Sequence, residues 1–255
     1  MFSISLVAEK VFSIGGMPVT NSLLTGWIGI IILILLAAIG MSKTSLVPKG
    51  LQLIFEAIYS FFLNLCENVL GDRKSAERAV PFIATIFLFV FISNIFTVFP
   101  GVGTIGIKSE SSESSEAHIV PLFRPASADL NMTIAMALVS VIITQIVGFK
   151  TLGAGYLKKF FNFSNPINFF VGILELISEF AKIISFSFRL FGNVFAGEVL
   201  LAVILMLVPY FVPLPFYGLE IFVAVIQAFV FAMLTLVFIK LAMTSHDEES
   251  HAAAH

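Results

Sequence analysis

The sequence predicts an all-α integral membrane protein: three spanning helices, a surface amphipathic helix, and a C-terminal hairpin of two long tilted helices. Three observations carry this reading. Hydrophobic residues fill 58% of the 255 positions, while Asp, Glu, Lys and Arg supply only 12%, about half the ~25% of an ordinary soluble domain. Mean hydropathy is +1.03, and several runs reach the ~20 apolar residues needed to cross a ~30 Å hydrocarbon core. The last third also carries ionisable residues inside apolar stretches instead of between them.

The elements follow in order. Residues 1–22 form an N-terminal segment with no signal-peptide pattern, so the chain is expected to insert through its own helices. The first span runs from Leu23 to Ile39, with Trp27 as an interfacial anchor. From Leu51 to Leu70, Gln52, Glu56, Tyr59, Ser60, Asn64 and Glu67 recur at helical spacing amid Leu, Ile and Phe. That pattern reads as an amphipathic helix on the membrane surface, the alternative being a short span with its polar face against protein. The second span, Val80 to Phe99, opens with Pro81, which a helix accepts in its first turn. Residues 100–128 read as an external loop, its Ser/Glu run Ser109–Glu116 solvated. The third span, about Leu130 to Phe149, follows Ser127 and Asp129, either of which suits its N-cap.

Residues 168–242 form the hairpin. From Asn168 to Val208 there is no proline; at ~1.5 Å per residue this stretch would be roughly 60 Å long, about twice the hydrocarbon core. It must break or lie tilted. A second stretch, Phe216 to Ala242, follows Pro209, Pro213 and Pro215, and residues 243–255 are a polar tail. The whole chain reads as one polytopic domain. Lys43, Lys49, Arg73, Lys74 and Arg78 follow the first span, and Lys150, Lys158 and Lys159 follow the third. These linkers share a side if the N-terminus is outside and the C-terminus inside.

Composition also excludes. A net charge of −2 predicts no polyanionic partner, and no nucleic-acid motif is present. The single Cys66 rules out an internal disulfide and a multi-thiolate metal site. His251 and His255 stand four apart, a spacing compatible with a metal, but a solvated tail accounts for them; no metal and no cofactor are expected. There is no G-x-x-x-x-G-K-[ST], no HExxH and no GxSxG. A membrane-embedded hydrolase therefore lacks its nucleophile, and a secondary transporter would need internal repeats that are not convincing here.

Charges in the apolar hairpin carry the functional argument. A charge at the bilayer centre costs ~2.5–3.5 kcal/mol on insertion scales. Glu175, Glu179, Lys182, Arg189 and Asn193 all fall within ~40° of one helical line, and Glu198 faces the opposite side ~13 Å beyond Arg189. On the last helix Glu220 and Gln227 share a face, with Thr235 near it. Bland readings stand beside the functional one: Glu175, Glu179 and Lys182 as a salt-bridged strip near the aqueous boundary, Asn193 as an interhelical hydrogen bond, Glu198 and Glu220 as neutral packing carboxyls. Arg189 resists such a reading, having no acid three or four residues away and lying far from both helix ends. A purely structural anchor leaves it unexplained.

The run Ser187-Phe188-Arg189-Leu190-Phe191-Gly192-Asn193-Val194-Phe195-Ala196-Gly197-Glu198 closely resembles the signature of the a subunit of F-type ATP synthases. Gln227-Ala228-Phe229-Val230-Phe231 with Leu234-Thr235 resembles a second signature of that family, and Pro125-Ala126-Ser127-Ala128-Asp129-Leu130-Asn131 a third. The resemblance implies an ion-conducting stator in which Arg189 is the essential arginine facing the ring of c subunits. Asn193, Glu198, Glu220 and Gln227 would then line two aqueous half-channels, with Glu175 at their mouth. It further implies peripheral-stalk b subunits and other synthase subunits as partners, ATP chemistry on those partners, and a bacterial plasma membrane. Some family members have His at one of the positions matching Glu198 and Glu220; both are Glu here.

Overall fold

In the computed structural model, residues 8–14, 16–42, 45–99, 105–109, 118–153, 155–160, 166–208 and 210–244 are described. Lys43, Pro209, most of the Ser/Glu run and the tail with His251 and His255 lie outside them. The order is β1 (Lys10–Ile14), β2 (Met17–Thr20), α1 (Asn21–Met41), α2 (Leu51–Leu70), α3 (Arg73–Ile95), β3 (Gly106–Ser109), β4 (His118–Pro121), α4 (Leu130–Leu152), α5 (Gly155–Phe160), α6 (Pro166–Leu207) and α7 (Pro213–Met243). Short 3-10 turns occupy Phe96–Val98 and Ala126–Ala128. Among the described residues, six helices are long and apolar enough to cross a membrane: α1, α2, α3, α4, α6 and α7.

Helix starts follow side-chain chemistry. Thr20 caps α1 by accepting from the Leu23 N–H, and Asp129 caps α4 by accepting from Asn131 N–H at 2.9 Å. Ser127, the other cap candidate, instead lies in the buried 3-10 turn. Asp72 caps α3 through Ser75 N–H and Oγ–H, both 3.1 Å away. This sets α3 running from Arg73, so Pro81 sits inside the helix and not in its first turn. The expectation failed because hydropathy marks where apolar residues begin, whereas the helix extends through the charged Arg73–Arg78 segment. The Thr85 hydroxyl donates to the Pro81 carbonyl at 2.6 Å.

Two antiparallel hairpins depart from an all-α reading. β1 pairs with β2 around Gly16, which has φ +89°, a conformation glycine adopts without strain. β3 pairs with β4 within the expected external loop.

The core is small and helical. Phe62, Leu63 and Cys66 of α2 meet Val80 and Ile83 of α3 and Ala232 and Leu236 of α7. Val90 of α3, Ala137 of α4, Phe186 and Leu190 of α6, and Ala228 and Phe231 of α7 form a second cluster. Around these, Ile30, Ile31 and Ile34 of α1, Ile142 and Ile146 of α4, and Phe180 and Ile184 of α6 point outward. An apolar exterior of this extent suits lipid contact, not water. α6 is unbroken from Pro166 to Leu207, 42 residues, so of the two possibilities for this stretch a break is excluded.

Candidate functional site

The antiparallel pair α6–α7 carries most of the unusual polar residues. Arg189 is exposed on α6, where its Nη2 donates to Ser185 Oγ one turn earlier at 3.3 Å. It borders a cavity of about 230 Å3 lined also by Ser178, Lys182 and Ser185 of α6 and Leu234 and Phe238 of α7. The adjoining Gly192 is open: a Cβ there would meet no atom within 4 Å. A cation, small residues and free space thus share one face of α6.

Four residues onward, Asn193 Nδ2 donates to Gln227 Oε1 at 2.6 Å. The interhelical bond expected of Asn193 is present, and its partner is another of the singled-out residues. Glu220, buried on α7, packs its carboxyl into the space beside Gly197 of α6, where a Cβ would collide with it. The glycine is required at this point by a side chain from the other helix. Glu198 turns the other way, toward the buried Arg124: its Oε2 lies 3.7 Å from Arg124 Nη2, a charge contact and not a hydrogen bond. Glu198 of α6 thus faces the loop that carries Arg124, while Glu220 of α7 faces α6 at Gly197.

Arg124 escaped sequence reasoning because it lies in the loop and its partners come from elsewhere. Its backbone N–H donates to Thr25 Oγ1 of α1 at 3.2 Å. Beside it, Ser22 Oγ donates to Asp129 Oδ2 at 2.7 Å, and Asn21 Nδ2 to the Pro121 carbonyl at 3.1 Å. The first turn of α1 thus closes over the loop that carries Arg124. Only the Pro125–Asn131 run signalled this region from sequence.

A second polar group lies about 15 Å from Arg189 along α6 in the opposite direction. Glu179 Oε1 accepts from Lys182 Nζ at 2.6 Å, as a salt-bridged strip would have it. Its other oxygen accepts from Gln145 Nε2 of α4 at 2.9 Å, while Gln145 Oε1 accepts from the Tyr156 hydroxyl of α5 at 2.7 Å. Lys182 Nζ also stands 4.8 Å over the Phe238 ring. Burial, with Glu179 and Glu175 nearby, pushes the Tyr156 phenol up to about 12. Glu175 is half-buried one turn before Glu179. Thr235, expected near the face of Glu220 and Gln227, is hydrogen-bonded to Ser140 of α4, oxygen to oxygen 2.8 Å.

Comparison with known proteins gives one family. The sequence model described as "ATP synthase A chain" matches residues 23–240. The ATP synthase subunit a of Moorella thermoacetica is 31% identical over 238 residues, 93% of this chain and 97% of that one. That of Campylobacter concisus is 34% identical, covering 86% and 88%. The subunit from Propionigenium modestum named "ATP synthase subunit a, sodium ion specific" is 35% identical, covering 94% of this chain and 80% of that one.

Proposed function

The chain belongs to the ATP synthase A chain family, and from that premise we propose that it is the ion-conducting stator subunit of a rotary F-type ATP synthase. One observation carries the reading: Arg189, exposed beside open Gly192, stands on an unbroken apolar helix between two separate polar groups. Glu198, Glu220, Asn193 and Gln227 lie to one side of it along the helix pair, and Glu175, Glu179 and Lys182 to the other. That is the arrangement two half-channels need.

Arginine keeps its charge in proteins, so Arg189 acts as a fixed cation and not as an ion carrier. A carboxylate on a facing c-subunit helix is stabilised beside it when unloaded and not when loaded. The same charge prevents ions from passing straight between the half-channels. Ions enter by one path, load the ring carboxylate, travel with the ring and leave by the other. Glu198 and Glu220, both one to two turns beyond the Asn193–Gln227 pair, form with it the polar lining of one path; Glu175 stands at the mouth of the other. Gln227 Nε2 and the buried Asn94 side chain, which have no hydrogen-bond partner among the described residues, are of the kind that water ordinarily satisfies. The driving force is ~2.3 kcal/mol per charge per 100 mV.

The chain has no nucleotide-binding motif, so ATP chemistry belongs to other subunits, with the c-ring and peripheral-stalk b subunits as its membrane partners. The membrane is a bacterial plasma membrane. α6, roughly 60 Å long, crosses it at a strong inclination together with α7, α1, α3 and α4 are the simple spans, and α2 lies along the surface. The coupling ion is a proton or, as the name of one relative indicates for that protein, sodium; pumping assayed with and without sodium separates the two.

The central test is ATP-driven ion pumping in membrane vesicles carrying Arg189→Ala, with assembly checked by blotting. Pumping is expected to vanish while the complex stays intact. Fully coupled pumping in that variant would overturn the mechanism.

A further inference from the structure

A second cavity, of about 260 Å3, lies away from Arg189, where the C-terminal ends of α2, α4 and α7 meet the first turns of α3. Its walls are mostly apolar, with Phe82, Val147 and Ile239 among them, and its rim carries Arg78 of α3 with Lys150 and Thr151 of α4. Arg78, Lys150 and Thr151 are exposed. The acids at this end are engaged elsewhere. Glu67 and Glu77 hold Arg73 at 3.0 and 3.4 Å, and Asp72 is bound to the first turn of α3. Arg78 and Lys150 therefore have no carboxylate partner among the described residues. Behind the wall, Lys240 Nζ donates to the Leu70 carbonyl at 3.0 Å and adds a third cation to this end.

We propose that this cavity binds the head group and upper acyl chain of one anionic phospholipid. Two unpaired cations at the rim match a phosphodiester, and the apolar walls match the methylenes beneath it. Basic pockets between transmembrane helices recognise anionic head groups in this way. The cavity is smaller than the ~300–1,000 Å3 of a site that encloses a drug-sized ligand, so most of each acyl chain lies along the outer surface. A free anion would be met by Arg78 and Lys150 but not by Phe82, Val147 and Ile239; the apolar walls favour the lipid. The site uses none of the residues assigned to the ion path.

The test is native mass spectrometry of the full-length chain in detergent micelles, titrated with dioleoylphosphatidylglycerol, dioleoylphosphatidylcholine or inorganic phosphate. One phosphatidylglycerol is expected to be retained, with phosphatidylcholine bound weakly and millimolar phosphate unable to displace the lipid. Arg78→Gln with Lys150→Gln is expected to weaken phosphatidylglycerol about thirtyfold, from ~1 kcal/mol for each cation near a charged surface. Thr151→Trp, which fills the exposed mouth and keeps both cations, is expected to weaken it as well. Equal phosphatidylglycerol binding by wild type and the double variant overturns the proposal, as does displacement by phosphate or equal binding of phosphatidylcholine. Lipid occupancy is read without ATP or an ion gradient, so its failure leaves the proposed stator role untouched.

Discussion

Gly197 and Glu220 illustrate what a single position can carry. The carboxyl of Glu220 fills the volume that any side chain at Gly197 would need. Gly197→Ala is therefore expected to drive that carboxyl off α6 and reduce ATP-driven pumping at least tenfold, with the complex still assembled. Glu220→Asp, shorter by one methylene, is expected to recover part of the loss in the same vesicles; a Gly197→Ala variant that pumps normally would contradict the assigned position of Glu220 in the path. Tyr156 offers a pH-dependent readout. Its phenol sits near 12, pushed up by burial and by Glu179 and Glu175, against ~10 for a free tyrosine. The neutral form is the one that folds, so its contribution is complete below pH ~10 and lost as pH climbs from ~10 to ~12. Titration of ultraviolet tyrosinate absorbance should show a last-titrating phenol that disappears in Tyr156→Phe. The ionisable residues of this region were legible because each stood alone in an apolar run. Gly197 and Arg124 were not, since what makes each matter is a partner from another helix.

At the scale of the elements, α4 and α7 are joined by the buried Ser140–Thr235 hydroxyl pair. Within a membrane such bonds are modest. A double-mutant cycle with Ser140→Ala and Thr235→Ala is expected to give a coupling of about 0.6 kcal/mol, and no more than ~1.7, measured by reversible unfolding in mixed micelles. Helix length and polar spacing made α6 and α7 legible in the sequence, because a long apolar run whose prolines are confined to its first turn has few other options. The start of α3 was misread, since its first two turns are charged and only the Asp72 cap reveals them. The hairpins were missed for a different reason: their strands are four or five residues long, too short to build an alternation pattern, and pairing across a turn leaves little trace in composition.

For the molecule as a whole, the placement of α2 decides how the ends of the chain are disposed. With α2 on the surface there are five crossings, by α1, α3, α4, α6 and α7, and the two ends emerge on opposite sides. With α2 crossing as well, they emerge on the same side. Phe12→Cys and Thr244→Cys, each in a Cys66→Ser background, distinguish these. An impermeant thiol reagent added from outside is expected to label position 12 directly and position 244 only after permeabilisation; labelling of both from outside would put α2 through the bilayer.

The first turn of α1 has a consequence for how the chain is made. Ser22 bonds to Asp129, and the two are separated by 107 residues; the Thr25 hydroxyl likewise waits for the Arg124 backbone across 99. The leading helix leaves the ribosome long before either partner exists. It therefore enters the membrane with only the local bonds of that turn, Thr25 Oγ1–H to the Asn21 carbonyl and Ser22 N–H to Asn21 Oδ1, and reaches its final seat only after α2 and α3 have been laid down and the start of α4 has been translated. A helix made this far ahead of its partners is thus among the last to settle, and a nascent chain stalled before residue 124 would leave that turn without them.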